Sequence, residues 1–374
     1  MTAFGENQVL ALGTDGFESV FDVAHETWQR KPAIGGIHTA ASLPDGRVVI
    51  LNNGVVRGTD GRYRAPPTLT DVHTLMALPN GKLLAQDPLG VGEVEPDGSM
   101  TFASAPLRNA DSVVAFDDET LVAGNRLQAP ARITWHTGTS SLWSLPPKVR
   151  GVLPRARVAD RLVFATAHDD KDAPFAAWID GKTSAITLGD RLLQDPDMVV
   201  SLGEGRALVR VDIPQQDEHQ YVFFVASANP PKLTRSKAPF PNAGVEATCR
   251  LESGAALVLS GPHDATADHA WVYRIDGATE SLTDLGSFAL MHAPRCTPRG
   301  DGRALVFDDA GRLLSVDPKR HLIEPVALTN PAIAASGQLF TDEDLLAFHA
   351  GRLFSARNHD RKATLLLSLP VPER

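Results

Sequence analysis

A strand-turn-strand phrase recurs about eight times along the 374-residue chain, and this repeat restricts the possible folds more than any other feature. The clearest copies are HTAASLPDGRVVIL from His38 and HTLMALPNGKLLAQ from His73. The residues that open the second strand of each copy lie 35 to 49 positions apart: Gly46, Gly81, Glu119, Asp160, Gly205, Gly254, Gly302 and Asp344. A repeat of this length indicates one supersecondary unit used many times.

Each unit contains short runs of β-branched or leucine residues, such as positions 48–51 and 83–85, bounded by Asp, Asn, Gly and Pro. This pattern is typical of strands joined by tight turns. A second series of turns alternates with the first, and its clearest members are residues 59–61, 96–98, 179–181 and 275–277. Asp-Gly favours tight hairpins because Gly tolerates positive φ. The sequence therefore predicts an all-β chain, a single β-propeller whose blades have four strands, A to D.

One further Asp-Gly turn, at residues 14–16, precedes the first full repeat, so nine C-D turns stand against eight A-B turns. We expect residues 1–36 to form an N-terminal hairpin and residues 37–374 to form the propeller repeats. The hairpin either closes the ring by completing the last blade or is an appendage. Eight blades are favoured, and seven fit if one weak repeat, such as the short one near Gly98, is not a separate blade.

Composition narrows the class of protein. The net charge of −9 argues against a nucleic-acid partner. It suits either a cytosolic protein or a protein that binds a basic partner. No apolar run approaches the ~18 residues needed to cross a bilayer, and the N-terminal segment does not resemble a signal peptide. We therefore predict a cytoplasmic protein with no membrane contact. The two cysteines, Cys249 and Cys296, are expected to be reduced, buried thiols; the oligomeric state is left open.

The phrases HTAASLPDGRVVI and HTLMALPNGKLLA resemble the repeats of galactose-oxidase-type propellers of the kelch class. The resemblance covers two repeats well and departs where a kelch blade would show paired glycines; here the chain reads Asn52-Asn53 and Gly124-Asn125. It implies a propeller and not a particular activity, since the copper-binding tyrosine and histidine arrangement of galactose oxidase has no counterpart among Tyr63, Tyr221 and Tyr273.

The long loops are predicted to lie on one face. In a propeller the A-B and C-D turns share one face, and the B-C and D-A loops share the other, where binding residues commonly sit. Several B-C loops of repeats four to six are long and rich in His and Asp. The candidate binding residues are His168, Asp169, Asp170, Asp172, Asp212, His219, His263, Asp264, Asp268 and His269.

A divalent metal is compatible with this composition because imidazole and carboxylate groups suit Zn, Mn or Fe. The candidate ligands are His263, His269, His292 and His349. Against a metal, no fixed spacing such as H-E-x-x-H is present, and His and Asp are ordinary loop residues. We therefore predict no required cofactor.

Two functions follow. The first is a non-catalytic binding scaffold that holds a protein partner, favoured if basic, on the long-loop face; an inhibitor or immunity-type role would fit. The second is a metal-assisted hydrolase or lyase acting on a small sugar-like or lactone substrate at the central channel.

Overall fold

The structure is a computed structural model. It describes residues 2–3, 8–12, 17–35, 40–43, 47–50, 54–66, 72, 74–87, 89–104, 110–214, 219–240, 245–252, 254–261, 269–289, 294–307, 312–326, 345–349, 352–359 and 363–370. In this part of the chain no helix has the length and apolar character that crossing a bilayer requires.

The described residues form antiparallel sheets that follow the chain order. The first contains β1 (Thr2–Ala3), β2 (Gln8–Leu12), β3 (Phe17–Asp22) and β4 (Thr27–Pro32). The second joins two four-stranded units, namely β5 (Ala40–Ser42), β6 (Val48–Ile50), β7 (Val56–Arg57) and β8 (Tyr63–Ala65) with β9 (Thr74–Ala77), β10 (Leu83–Asp87), β11 (Gly90–Val94) and β12 (Met100–Ser104).

The remaining sheets are single blades. They are β13 (Ser112–Ala115), β14 (Thr120–Asn125), β15 (Gln128–Thr134) and β16 (Thr139–Leu142); β17 (Val149–Ala159), β18 (Leu162–Asp169), β19 (Pro174–Asp180) and β20 (Ala185–Arg191); and β21 (Met198–Gly203), β22 (Arg206–Pro214), β23 (His219–Ala228) and β24 (Pro231–Arg235). Next come β25 (Val245–Glu252), β26 (Ala255–Ser260), β27 (His269–Asp276) and β28 (Leu282–Ala289); β29 (Arg295–Pro298), β30 (Ala304–Phe307), β31 (Leu313–Asp317) and β32 (Leu322–Pro325); and β33 (Leu345–His349), β34 (Arg352–His359) and β35 (Ala363–Pro370).

The innermost strands form a ring of seven. Contacts run from β9 to β13, β17, β21, β25, β29 and β33, and β33 in turn contacts β9. We number the blades 1 to 7 from β9–β12 to β33–β35. The all-β propeller expected from the repeats is confirmed. Eight blades were favoured by the repeat count, whereas the inner-strand contacts give seven.

The repeat outside this ring is one of the two clearest copies. It forms β5–β8, whose last strand pairs with the outer strand of blade 1, in a register that places Arg64 opposite Thr101. Residues 14–16, expected to be a lone C-D turn, lie outside the described residues; the strands before and after them in the sequence, β2 and β3, pair with each other. The expected division of the chain into an N-terminal hairpin, residues 1–36, and propeller repeats, residues 37–374, stays a prediction. The repeats specify four-stranded units but do not specify which edge each unit offers to the next.

The hydrophobic core lies between blades. Aromatic residues are few, so Val, Leu and Ala supply most of its contacts. Phe116 of blade 2 and Val163 of blade 3 belong to one buried cluster. Leu208 of blade 4 and Val258 of blade 5 belong to another. Because each blade completes its core with its neighbours, the ring behaves as one packing unit.

The Asp-Gly turns have a physical basis that differs in part from the expected one. Asp180 accepts a hydrogen bond from the backbone N–H of Lys182 at 2.7 Å, which closes the turn as Asx turns do. The positive φ, however, belongs to Ser184 at 56°. Gly181 is required for another reason, since a Cβ there would collide with the ring of Phe116.

The cysteines form a disulfide, so the prediction of free thiols was wrong. Cys249 lies on β25 and Cys296 on β29, which are innermost strands of neighbouring blades, and their Cα atoms are 5.8 Å apart. In the sequence both residues fall on A strands of consecutive repeats. Adjacent A strands lie side by side around the channel, which brings the two sulfurs together.

Candidate functional site

The B-C and D-A loops of blades 2 to 4 contain the best-described part of the predicted binding face. One expected loop, residues 212–220, is largely strand: β22 continues to Pro214, β23 begins at His219, and these two residues pair. Asp212 therefore lies within a strand, half-buried and opposite Tyr221. The described ends of this segment, residues 212–214 and 219–220, are strand, so the B-C loop of blade 4 is shorter than expected; residues 215–218 lie outside the described residues.

The other predicted residues divide into those the structure places and those it does not. His263, Asp264, Asp268 and His292 lie outside the described residues. The backbones of His219 and His349 lie on β23 and β33, and their side chains are outside the description. His269 is exposed at the start of β27.

His168 has a different environment from the one expected. It lies near the end of β18, opposite Gly151 of β17, and its side chain is completely buried. Its Nε2 lies 3.0 Å and 3.1 Å from the two carboxylate oxygens of Asp195. Its Nδ1 is buried and has no hydrogen-bond partner among the described residues.

Asp195, in the D-A segment between β20 and β21, is the centre of a charged network. Arg126 Nη2 lies 2.8 Å from Asp195 Oδ2, and Arg155 Nη2 lies 3.3 Å from Asp195 Oδ1. Burial alone would raise the pKa of Asp195, but the hydrogen bond from His168 and the positive charges of Arg126 and Arg155 outweigh it and lower that pKa. We call these four residues the Asp195 network.

The Asp195 network connects three successive segments of the ring. Arg126 comes from the B-C loop of blade 2, Arg155 and His168 from blade 3, and Asp195 from the loop that leads to blade 4. Arg155 also donates from Nε to Thr166 Oγ1 at 3.2 Å. With both carboxylate oxygens occupied, Asp195 is suited to holding the blades in register rather than to accepting a proton or a metal.

The acidic turn after His168 is largely committed to its own geometry. Asp169 accepts hydrogen bonds from the backbone N–H groups of Ala173 at 2.8 Å and Lys171 at 2.9 Å, and these bonds lower its pKa. Asp172 has a φ of 64° and forms an ion pair with Arg150 at 3.1 Å. Two of the three predicted carboxylates in this turn therefore have structural partners, and Asp170 is exposed.

Two leucines that the sequence did not single out project from the same region. Leu127, beside Arg126, is 61% exposed, and Leu193, two residues before Asp195, is 68% exposed. The loop that carries Leu127 is supported by two contacts. The N–H of Leu127 donates to Asn125 Oδ1 at 2.8 Å, and Gly151 packs so closely against the backbone of Arg126 that a Cβ there would collide with it. Burying such exposed apolar side chains against a partner would be favourable, because it removes their surface from water.

The metal-site expectation has no support within the described residues. Nowhere among them do three His, Cys, Asp or Glu side chains converge closely enough to hold an ion. Three of the four candidate ligands, His263, His292 and His349, have side chains outside that part of the chain.

Sequence comparison does not assign the chain to a family: no family model matches it, and no curated protein matches its sequence. Its architecture is nevertheless shared with solved structures. An oligogalacturonate lyase in complex with manganese has a TM-score of 0.59 at 12% identity, covering 90% of this chain and 96% of that one. An oligogalacturonate lyase from Vibrio parahaemolyticus has a TM-score of 0.57 at 8% identity, covering 90% and 99%.

A third structure, the WD40 repeats of RRP9, has a TM-score of 0.52 at 10% identity, covering 81% of this chain and 95% of that one. At these identities the likeness defines the class of protein, a β-propeller, and nothing finer. Propellers similar to this chain include both enzymes and WD40 repeats. Kelch-type repeats, expected from two phrases of the sequence, stay a prediction.

Proposed function

We propose that the protein is a non-catalytic binding propeller that captures a protein partner on the B-C and D-A loops of blades 2 to 4. The observation that carries this proposal is the pair of exposed leucines, Leu127 and Leu193, each within two residues of the Asp195 network. The network anchors the loops, so the leucines are presented with little freedom to lose on binding, and preorganised contacts favour affinity.

The partner proposed is a protein with an apolar patch and a basic net charge. The net charge of −9 attracts a basic partner at long range, which accelerates encounter. Close to the leucines the charges are balanced, since Asp172 is paired with Arg150 and Asp195 with Arg126. Charge therefore steers the encounter, and the leucines supply the contact energy.

The metal-assisted hydrolase or lyase remains the alternative, since most of its candidate histidine side chains lie outside the described residues. Elemental analysis of protein purified without a metal-affinity tag tests it directly. Stoichiometric metal, with a loss of stability in EDTA, would favour the enzyme over the scaffold.

The scaffold proposal is tested by capture of a partner from an extract of the native host on immobilised protein, with Leu127→Asp/Leu193→Asp as the test variant. Leu142→Asp is the matched control, because Leu142 is 73% exposed but lies on β16, the outermost strand of blade 2. We expect the double variant to lose a partner that both the wild type and the control retain. Equal capture by all three proteins would contradict the proposal.

A further inference from the structure

A cavity of about 420 Å³ lies where the units β1–β4 and β5–β8 meet the ring. Its lining comes from the end of β4, the turn between β7 and β8, blade 1, and the turn between β15 and β16 of blade 2. The ring alone would not form this space, because β4 and the β7–β8 turn belong to units outside the ring. The volume lies in the range of small-molecule sites.

Part of the lining is apolar. Ile34 and Phe102 are buried in the core that β1–β4 and β5–β8 share with blade 1, and Trp135 is buried in the core between blades 1 and 2. The indole Nε1–H of Trp135 donates to the backbone oxygen of Asp118 at 3.0 Å, so its polar atom is already used. Such surface favours contact with the apolar part of a ligand, because contact removes both from water.

A second part of the lining carries a surplus of positive charge at Lys31. The Nζ of Lys31 lies 2.8 Å from Oε1 of Glu18, and Arg57 Nη2 lies 3.0 Å from the same oxygen. Two cations therefore share one carboxylate, which leaves a net charge of about +1 on the three residues. Glu18 and Arg57 are buried, whereas the Lys31 side chain is about half exposed and lines the cavity, so Lys31 presents that charge to a ligand.

Gly61 keeps space open beside these two cations. A Cβ built on Gly61 would lie 3.1 Å from Lys31 Nζ and 3.4 Å from Arg57 Nη2. Its φ of 78° lies in the left-handed region, which a side chain would strain. The turn between β7 and β8 therefore leaves room for a ligand atom where most residues would place a side chain.

The charges of the other lining residues limit the ligand. Arg62 is exposed and forms no ion pair with a described carboxylate, so it adds a second available cation. Lys82 and Glu93 pair with each other at 2.9 Å. The carboxylate of Glu95 then opposes Lys31 and Arg62. A ligand with a single negative charge fits this balance better than a phosphate monoester, which carries about −1.5 to −2 charges.

We propose that this cavity binds a small monocarboxylate with an apolar or aromatic body. The carboxylate would lie between the ammonium of Lys31 and the guanidinium of Arg62, groups that donate charge-assisted hydrogen bonds to carboxylate oxygens. The body would pack against Phe102 and Trp135. The site shares no residue with the loops that carry Leu127 and Leu193, so it is independent of the partner proposed for the loop face.

Isothermal titration calorimetry on the full chain tests the site with sodium phenylacetate, at an ionic strength held constant with sodium chloride. Phenyl phosphate tests the number of charges and benzylamine tests their sign, because both molecules carry the same ring. We expect saturable binding of phenylacetate, weaker binding of phenyl phosphate and no binding of benzylamine. No saturable binding of phenylacetate, tighter binding of phenyl phosphate, or equal binding of benzylamine would overturn the proposal.

Variants test the lining residues themselves. Arg62→Gln removes one of the two cations and should weaken phenylacetate binding about 10- to 100-fold. Ala103→Leu keeps the charges but fills part of the cavity, so it should weaken binding as well. Arg30→Gln is the matched control, because Arg30 precedes Lys31 on β4 and is exposed but does not line the cavity. A cooperative thermal transition verifies that each variant is folded. Undiminished binding by both cavity variants, or an equal loss in the control, would refute the proposal.

Discussion

Glu18 offers the sharpest test of how the N-terminal sheets are held together. Its side chain is fully buried on β3, and its carboxylate accepts from Arg57 Nε at 2.8 Å and Nη2 at 3.0 Å. Lys31 Nζ lies 2.8 Å from the same carboxylate, and the hydroxyl of Tyr63 donates to it. Arg57 and Tyr63 come from the second sheet, so this network joins the first two sheets of the chain.

The change we consider is Glu18→Gln, which keeps the shape of the side chain and removes its charge. Arg57, itself only 3% exposed, would keep its charge in a buried position after losing the opposing carboxylate. Breaking a buried ion pair from one side typically costs about 3–5 kcal/mol. We expect a loss of that order in the free energy of unfolding of the region that contains residues 17–65.

The measurement combines denaturant-induced unfolding with hydrogen exchange, which separates the N-terminal sheets from the ring. Asp60→Asn is the matched control, because the Asp60–Arg64 pair, at 2.7 Å, lies in the second sheet but is about half exposed. An exposed pair contributes about 1 kcal/mol or less. A cost below about 1 kcal/mol for Glu18→Gln, equal to that of the control, would refute the assignment of the network as a buried link.

The same network predicts a dependence on pH with a definite sign. Burial works to raise the pKa of Glu18, but the hydrogen bonds from Arg57, Lys31 and Tyr63 outweigh it and the pKa is lowered. A carboxyl with a lowered folded-state pKa contributes its full stabilisation above the unfolded value, about 4.3. That contribution is lost as the pH falls through the folded-state pKa, and Glu18→Gln should remove this acid dependence.

Three further outcomes are expected. Cys249→Ser should lower the free energy of unfolding by up to about 4 kcal/mol, because the bond to Cys296 closes a loop of 47 residues. A reductant should destabilise the wild type and leave the variant unchanged. Equal sensitivity of both proteins to the reductant would exclude the bond. Gly181→Ala should lower Tm in calorimetry, since the added methyl group meets Phe116, and an unchanged Tm would show that the blades separate easily there. Asp195→Asn should destabilise the protein by about 3 kcal/mol, because two arginines and a histidine lose their shared carboxylate. Denaturant titration measures this loss. An unchanged free energy of unfolding would mean that the network does not hold the loops.

Particular residues show what the sequence could and could not indicate about the candidate site. His168 was selected because it opens a polar loop, yet it is buried against Asp195, which lies 27 residues further along the chain and in no motif. Asp169 was a candidate binding residue, and it closes its own turn.

The sequence by itself determined the local units: the strands, the tight turns and the four-stranded blade follow from apolar runs and Asp-Gly pairs whose effects extend over a few residues. The tertiary structure alone decided how the units associate. It placed the repeat that forms β5–β8 outside the ring by pairing β8 with β12, and it joined Cys249 to Cys296. The physical reason is that a strand's pattern specifies which side chains are buried, whereas its free edge and its place around an axis depend on partners far away in the chain.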